Sequence, residues 1–142
     1  YSDLSLIFLD VDNFKNFNDV NGHQAGDVLL RELSGLLQES VRKKDVVARW
    51  GGEEFVVLCP NTSEPVAARL ADELRRTVAD HAFIGADSQP NKRVTISAGV
   101  STLVKFNDKQ SLVEAADNAL YEAKRAGRNA VRVATHSTPP ML

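Results

Sequence analysis

Apolar residues recur along this chain in two rhythms, one of strands and one of helices. Residues 4–10, LSLIFLD, form a short run with few polar breaks, as expected of a strand covered on both faces. Between Asp27 and Val41 the residues Val28, Leu29, Leu33, Leu36, Leu37 and Val41 recur at helical spacing. This predicts an amphipathic helix that starts beyond the turn residues Asn21-Gly22 and Gly26. DVVARW and EFVVLC read as strands joined by Gly51-Gly52, a pair able to adopt the positive φ of a tight hairpin turn. VAARLADELRRTVADHAF reads as a second amphipathic helix, with Ser63 as N-cap and Pro65 inside its first turn. KRVTISAGVSTL is β-rich, SLVEAADNALYEAKRAG is a helix that Gly127 terminates, and NAVRV is a last short strand.

The resulting order, β-α-β-β-α-β-α-β, predicts an α/β fold of the α+β sandwich kind. A central, mostly antiparallel sheet is flanked by helices, in a split β-α-β arrangement of ferredoxin-like or polymerase-palm type. Its first two strands run parallel, and the third returns between them after the hairpin. One domain over residues 1–134 and a tail over 135–142, containing the Pro-rich STPPML, account for the chain.

Composition narrows the function. With 142 residues, 43% of them hydrophobic, the chain suits a single core and is too apolar for disorder. A net charge of -2 gives no global basic field to recruit nucleic acid, so a polyanionic ligand needs a local arrangement. No apolar run reaches the roughly 18 residues of a membrane span, so no membrane contact by this domain is expected. The lone Cys59 lies in an apolar run and suits a reduced, cytoplasmic setting, as a small buried residue.

The predicted topology also brings carboxylates together. Asp10 ends the first strand at the edge where Gly51 and Gly52 turn, so Asp10, Asp12, Glu53 and Glu54 are expected to converge. Four crowded carboxylates repel one another unless a cation neutralises them, and hard oxygen ligands suit Mg²⁺ or Mn²⁺. Such ions commonly bridge protein carboxylates to nucleotide phosphates.

Three separated stretches, FLDVDNFKNFNDVNGHQAGDVLL, RKKDVVARWGGEEFVVL and ALYEAKRAGRNAVRV, resemble the GGDEF family of diguanylate cyclases in its Gly-Gly-Glu-Glu-Phe form. The likeness covers nearly the whole chain, in order and spacing. It implies condensation of two GTP molecules into cyclic di-GMP with release of two pyrophosphates, one GTP being held by each of two facing domains of a homodimer. An upstream sensory or receiver domain is the usual companion, and the parent protein is compatible with a membrane anchor. Family domains usually begin with an Asp-x-Leu-Thr-x-Leu-x-Asn-Arg stretch, which has no counterpart ahead of Tyr1-Ser2-Asp3. Dimer contacts and the hinge to an upstream domain would involve that stretch.

Carried over by position, the resemblance makes Asp10 and Glu53 the principal metal ligands beside the Val11 carbonyl, with Glu54 a further ligand. Glu53 also stands where a base could take the proton of the attacking 3′-hydroxyl. Asp12, at the same edge, suits an orienting or structural role at least as readily as a ligand role. Gly51 and Gly52 let the backbone approach an α-phosphate. Asn13, Phe14 and Lys15 open a short helix whose free N–H groups would face the β- and γ-phosphates. Lys124 and Arg128 match cationic positions near those phosphates. Asn18 and Asp27 match the guanine-reading pair, a carboxylate accepting from guanine N1–H and its C2 amino group, whereas adenine presents an acceptor at N1 and no amino group at C2. His23 and Gly26 are read as shaping the loop. Arg42 and Asp45 match an Arg-x-x-Asp site for inhibition by the product, roughly 15 Å from the catalytic edge at about 3.3 Å per residue.

Two other classes remain open at this point. One is a catalytically silent GTP- or cyclic di-GMP-binding regulatory module, against which the intact Gly51–Phe55 signature argues. The other is a palm-type nucleotide cyclase or polymerase-like enzyme, which shares the carboxylates but not the Asn18/Asp27 and Arg42/Asp45 pairs.

Overall fold

The computed structural model describes residues 3–103 and 108–135. Its elements follow in the order β1 (Leu4–Val11), α1 (Phe14–Asn21), α2 (His23–Ser40), β2 (Val46–Gly51), β3 (Glu54–Pro60), α3 (Glu64–Asp80), β4 (Ile96–Leu103), α4 (Lys109–Arg125) and β5 (Val131–Val133). Two short 3-10 turns, Ala86–Ser88 and Pro90–Lys92, lead from α3 to β4. The tail residues 136–142 and the first two residues lie outside the described part.

The sheet order is β2-β3-β1-β4-β5. β1 pairs antiparallel with both β3 and β4, β2 pairs antiparallel with β3, and β5 runs parallel to β4. This is the expected topology: β3 returns from the hairpin to lie between β1 and β2. Being central, β1 is buried along nearly its whole length, which explains its unbroken apolar run. Its alternate residues serve two cores. Ile7, Leu9 and Val11 join the larger core, with Leu29, Leu30, Leu33 and Leu37 of α2 and Leu70, Leu74 and Val78 of α3. Leu6 and Phe8 face the other way, against Leu112, Ala116 and Leu120 of α4.

The helices differ in detail from the sequence expectation. Gly26 does not break the chain; it lies buried within α2, which starts at His23 after a turn at Gly22 with φ +92°. Val28 is 45% exposed, so the buried stripe of α2 is Leu29, Leu30, Leu33 and Leu37. α3 stops at Asp80 instead of running to Phe83, and Ser63, though at its N-cap, makes no side-chain capping bond. In α4, Asp108 is the N-cap, its carboxylate accepting from the Ser111 amide at 2.8 Å.

α4 lies very close to the sheet because β4 presents small residues to it. A Cβ on Gly99 would stand 2.1 Å from the Ala116 carbonyl oxygen and 2.3 Å from the Leu120 nitrogen. The Ser101 hydroxyl donates to the Leu112 carbonyl at 2.6 Å on the same face. Backbone cannot yield as a flexible side chain does, so Gly99→Ala is expected to destabilise by about 3 kcal/mol in urea denaturation. Gly35→Ala meets nothing within 4 Å on the exposed face of α2, and should stabilise by about 0.5–1 kcal/mol.

Candidate functional site

By the period of β1, Asp10 follows Leu6 and Phe8 onto the α4 side of the sheet. There it meets Lys124, in the last turn of α4, in an ion pair through Oδ2. Asp10 is only 2% exposed, and its Oδ1 has no hydrogen-bond partner. Burial pushes its carboxyl up to about 6 against the pull of Lys124, with Asp12 and Glu53 adding repulsion. The hairpin is tied to the end of β1 where the Val11 amide donates to the Glu53 carbonyl at 3.4 Å. Glu53 and Val11 therefore meet, as expected.

Around them opens a cleft of about 290 Å³, lined by Asp10 to Asn16, Glu53, Lys124 and Arg128. Most of the expected catalytic-edge residues share it: Asp10, Val11, Asn13, Phe14, Lys15, Glu53, Lys124 and Arg128. Of the remaining two carboxylates, Asp12 lines the cleft as expected but is held by other partners, and Glu54 does not reach it. Asp12 turns inward, 2% exposed, and accepts from the Ser97 hydroxyl at 2.6 Å, the Thr95 hydroxyl at 2.7 Å and the Asn129 amide at 2.9 Å. With its lone pairs so engaged it is a structural anchor. Glu54 pairs with Asp10 across the strands but does not line the cleft; its Oε1 lies beside Gly51. Among the described residues no three His, Cys, Asp or Glu side chains form a ready metal cluster. The donors that suit a hard cation are thus Asp10, whose unpartnered Oδ1 lacks a counterpart, Glu53 and the Val11 carbonyl.

Asp12 also explains how Arg128 reaches the cleft. α4 ends at Arg125, and Gly127, Arg128 and Asn129 have φ of +115°, +65° and +47°. This left-handed turn is pinned by the Asn129 amide on Asp12 and by Arg75, which donates to the Asn129 side chain at 3.1 Å. Lys124 and Arg128 share the cleft through that turn, not through one helical face.

Of the two reasons expected for the hairpin glycines, positive φ does not hold. Positive φ occurs at Gly22, Gly85 and Gly127, but at neither Gly51 nor Gly52. A register irregularity between Arg49 and Gly51 turns the strand, and Arg49 holds the loop by donating to the Gly52 carbonyl at 2.6 and 2.9 Å. A Cβ on Gly52 would meet nothing within 4 Å, so neither backbone strain nor packing demands glycine there. The open space beside this backbone is what a side chain would take away.

Asn18 and Asp27 lie outside the cleft, on α1 and α2. Asn18 is about 6 Å along α1 from Phe14, at about 1.5 Å per residue. Its Oδ1 is buried without a partner and occupies the space over Gly26, where a Cβ would stand 1.8 Å away. Gly26 thus makes room for the Asn18 amide inside a helix; it does not shape a loop. Asp27 and His23 are exposed, and His23 is the first residue of α2.

Arg42 and Asp45 are bonded to each other: Arg42 Nε donates to Asp45 Oδ2 at 2.9 Å and NH2 to Oδ1 at 3.0 Å, a bidentate pair. The Arg42 amide also donates to Oδ2, and its guanidinium reaches the Thr62 hydroxyl at 2.7 Å. Burial alone would raise the Asp45 carboxyl, but these bonds from Arg42 outweigh it and hold the group below its ordinary value. Arg42 therefore opens on a shallow cleft of about 230 Å³, lined also by Arg69 and Glu73 of α3, whereas Asp45 is turned into the protein. Nearby, burial pushes the Cys59 thiol up to about 11, so it stays protonated and inert.

Sequence reading missed Thr95, Ser97, Asn129 and Arg69. They carry no local signature; only the pairing of β1 with β4, the turn after α4 and the packing of α3 bring them to their places.

A family model described as "Diguanylate cyclase, GGDEF domain" matches residues 1–130. Diguanylate cyclase A of Treponema denticola is 41% identical over 137 residues, which is 96% of this chain and 36% of that protein. The chain thus spans about a third of the length of that curated relative. The active GGEEF domain of a diguanylate cyclase from Vibrio cholerae superposes with a TM-score of 0.85 at 36% identity, covering 96% of this chain and 85% of that one. The GGDEF domain of DgcB from Caulobacter crescentus, solved in complex with c-di-GMP, gives 0.85 at 34% identity, over 94% of this chain and 78% of that one.

The buried Asp10 carboxyl makes a pH dependence. Its folded value of about 6 lies above the ordinary 3.8, so the folded state retains a proton that the unfolded state has released. Stability should fall as pH rises from about 4 to 6, by up to about 3 kcal/mol. In thermal melts without divalent cation, Asp10→Asn should flatten that slope and melt above the wild type at pH 8. Added Mg²⁺ should raise the wild-type melting temperature at pH 8 and leave the variant unmoved.

Proposed function

This chain belongs to the GGDEF family of diguanylate cyclase domains, and from that premise we propose that it catalyses half of the condensation of two GTP molecules into cyclic di-GMP. Residues 1–134 are taken as the working domain. The observation that carries the reading is the cleft at the end of β1. A buried carboxylate with an unpartnered oxygen, the hairpin, three cationic side chains and the start of a helix meet there in one space fit for a triphosphate.

Phosphates enter where positive groups are fixed. Lys15, Lys124 and Arg128 supply charge, and the first amides of α1 supply unpaired donors with the positive end of the helix dipole. The open backbone at Gly52 admits the α-phosphate. Asp10, Glu53 and the Val11 carbonyl would hold Mg²⁺ or Mn²⁺, which offsets phosphate charge and lowers the pKa of a bound hydroxyl. The base lies one helical turn further along α1, where a guanine amino or N1–H group would satisfy the buried Asn18 Oδ1 and the Asp27 carboxylate. Adenine presents an acceptor at N1 and no amino group at C2, so ATP is refused.

The 3′-oxygen of one GTP attacks the α-phosphorus of the other. The bond to the β-phosphate oxygen breaks, pyrophosphate leaves, and the hydroxyl proton passes to Glu53 or to solvent. Repetition in the opposite sense closes the ring. Because both reactants are bound nucleotides, a facing second domain is needed, and alignment supplies much of the rate. The cytoplasm, as the source of GTP, is the setting that fits.

The test is chromatographic detection of cyclic di-GMP from GTP and Mg²⁺, with the domain fused to a dimerising coiled coil. Product is expected from the wild type, with at least about a 10²-fold loss in Glu53→Ala, and none is expected from ATP. GTP binding without product in the dimer would instead identify a silent regulatory module. For the Arg42 cleft, Arg42→Ala should relieve inhibition by added cyclic di-GMP while leaving the initial rate intact. It should also cost about 1–3 kcal/mol of stability, because the buried Asp45 loses its guanidinium.

A further inference from the structure

The turn that leads from β1 into α1 is held from behind by a residue with no part in the cleft. Gln89, between the two 3-10 turns that follow α3, is 5% exposed. Its Nε2 donates to the carbonyl oxygens of both Asp12 and Asn13, each at 3.1 Å, and its Oε1 accepts from Asn16 Nδ2 at 2.9 Å. The strap carrying it is itself fastened to α1. Asn16 Nδ2 donates to the Ser88 carbonyl at 3.1 Å, and Asn21 Nδ2 to the Ser88 hydroxyl at 2.9 Å. Gln89 thus grips two consecutive carbonyls of a turn whose middle residue, Asn13, is left-handed at φ 55° and makes no side-chain cap.

The consequence follows from peptide geometry. In a planar trans peptide the N–H points opposite to the C=O of the same unit. Holding the Asp12 and Asn13 carbonyls on the Gln89 side therefore turns the Asn13 and Phe14 amides to the other side, and the residues that line the cleft include Asn13 and Phe14 but not Gln89. A left-handed residue other than glycine is a sparsely populated conformation that needs outside support. The Asn13 carbonyl also accepts from the Phe17 amide at 3.1 Å, so without the Gln89 donor it is the Asp12 carbonyl, in a largely buried turn, that would seek another partner and rotate the Asn13 amide with it.

We propose that Gln89 is a positioning residue. By bonding the Asp12 carbonyl, and the Asn13 carbonyl beside its bond from Phe17, it fixes the Asn13 amide next to the helix-held Phe14 amide as donors for the terminal phosphates of the bound nucleoside triphosphate. This rests on the reading of the cleft as a GTP site. The residue acts through the backbone and touches no substrate, so its removal weakens what the β- and γ-phosphates contribute and leaves the base and α-phosphate contacts alone.

The test compares GTP and GMP binding by calorimetry, with Mg²⁺, for the wild type and Gln89→Met, a variant of similar volume without the donor. The wild type is expected to bind GTP more tightly than GMP; in Gln89→Met the GTP affinity falls about tenfold, and GMP affinity stays within twofold. Gln89→Ala, which leaves room for water at the two carbonyls, is the milder variant and should lose about threefold for GTP alone. Amide hydrogen exchange gives a second readout: GTP protects the Asn13 and Phe14 amides in the wild type, and the protection of the Asn13 amide is lost in the variants. Equal losses for GTP and GMP, or no loss for either, overturn the positioning role. A wild type that binds GTP no more tightly than GMP overturns the reading of the cleft itself, and the inference with it.

Discussion

Two carboxylates are buried where the central strand ends, and buried charge must be compensated. Each of the two is compensated in a different way, and the site depends on the difference. Asp12 is saturated by two hydroxyls of the β4 segment and one amide beyond α4, so it behaves as a structural pin. Asp10, two residues earlier, has a single ionic partner and one oxygen left without any. A group in that condition is costly to keep charged, as its raised pKa records. A bound cation would remove the cost, so the site couples stability to ligand binding.

The pin and the unsatisfied group act together. Asp12 fastens the left-handed turn after α4, which carries Arg128, and α4 itself carries Lys124 to Asp10. That helix can come so close only because β4 offers Gly99 and Ser101 to it. On the opposite side of the end of β1, Gln89 holds the entry to α1. Cations, carboxylates and free amides thus approach one small cleft from three directions. Asp10 and Lys124 are anchored on β1 and α4, and Arg128 on the turn that Asp12 pins.

The same economy of space operates at the second pair. Arg42 and Asp45 satisfy each other and Thr62, so an Arg-x-x-Asp motif is here a packed joint between α2, β2 and the end of β3. Only the outer edge of the guanidinium is left for a ligand, and Arg69 of α3 stands beside it. Regulation at this place would have to reach the catalytic edge through the length of the β2–β3 hairpin.

The strands, the three long helices, their order and the neighbourhood of Asp10 to the hairpin were determined by the sequence alone, while the short α1 was expected only from the family resemblance. Burial repeats with the period of each element, so LSLIFLD and the leucines of α2 declare the faces they hide, and the split β-α-β order leaves β3 only one place to return. The three motif stretches identified the family for the same reason: their residues lie close together in the chain. Tertiary structure alone decided which polar atoms pair. Asp12 finds Asn129 from 117 residues away, and Gln89 finds Asp12 from 77. Whether a carboxylate faces a cleft or a hydroxyl, or a glycine is needed for φ or for a neighbour's amide, turns on a few tenths of an ångström between such distant segments. No periodicity within one segment records those distances.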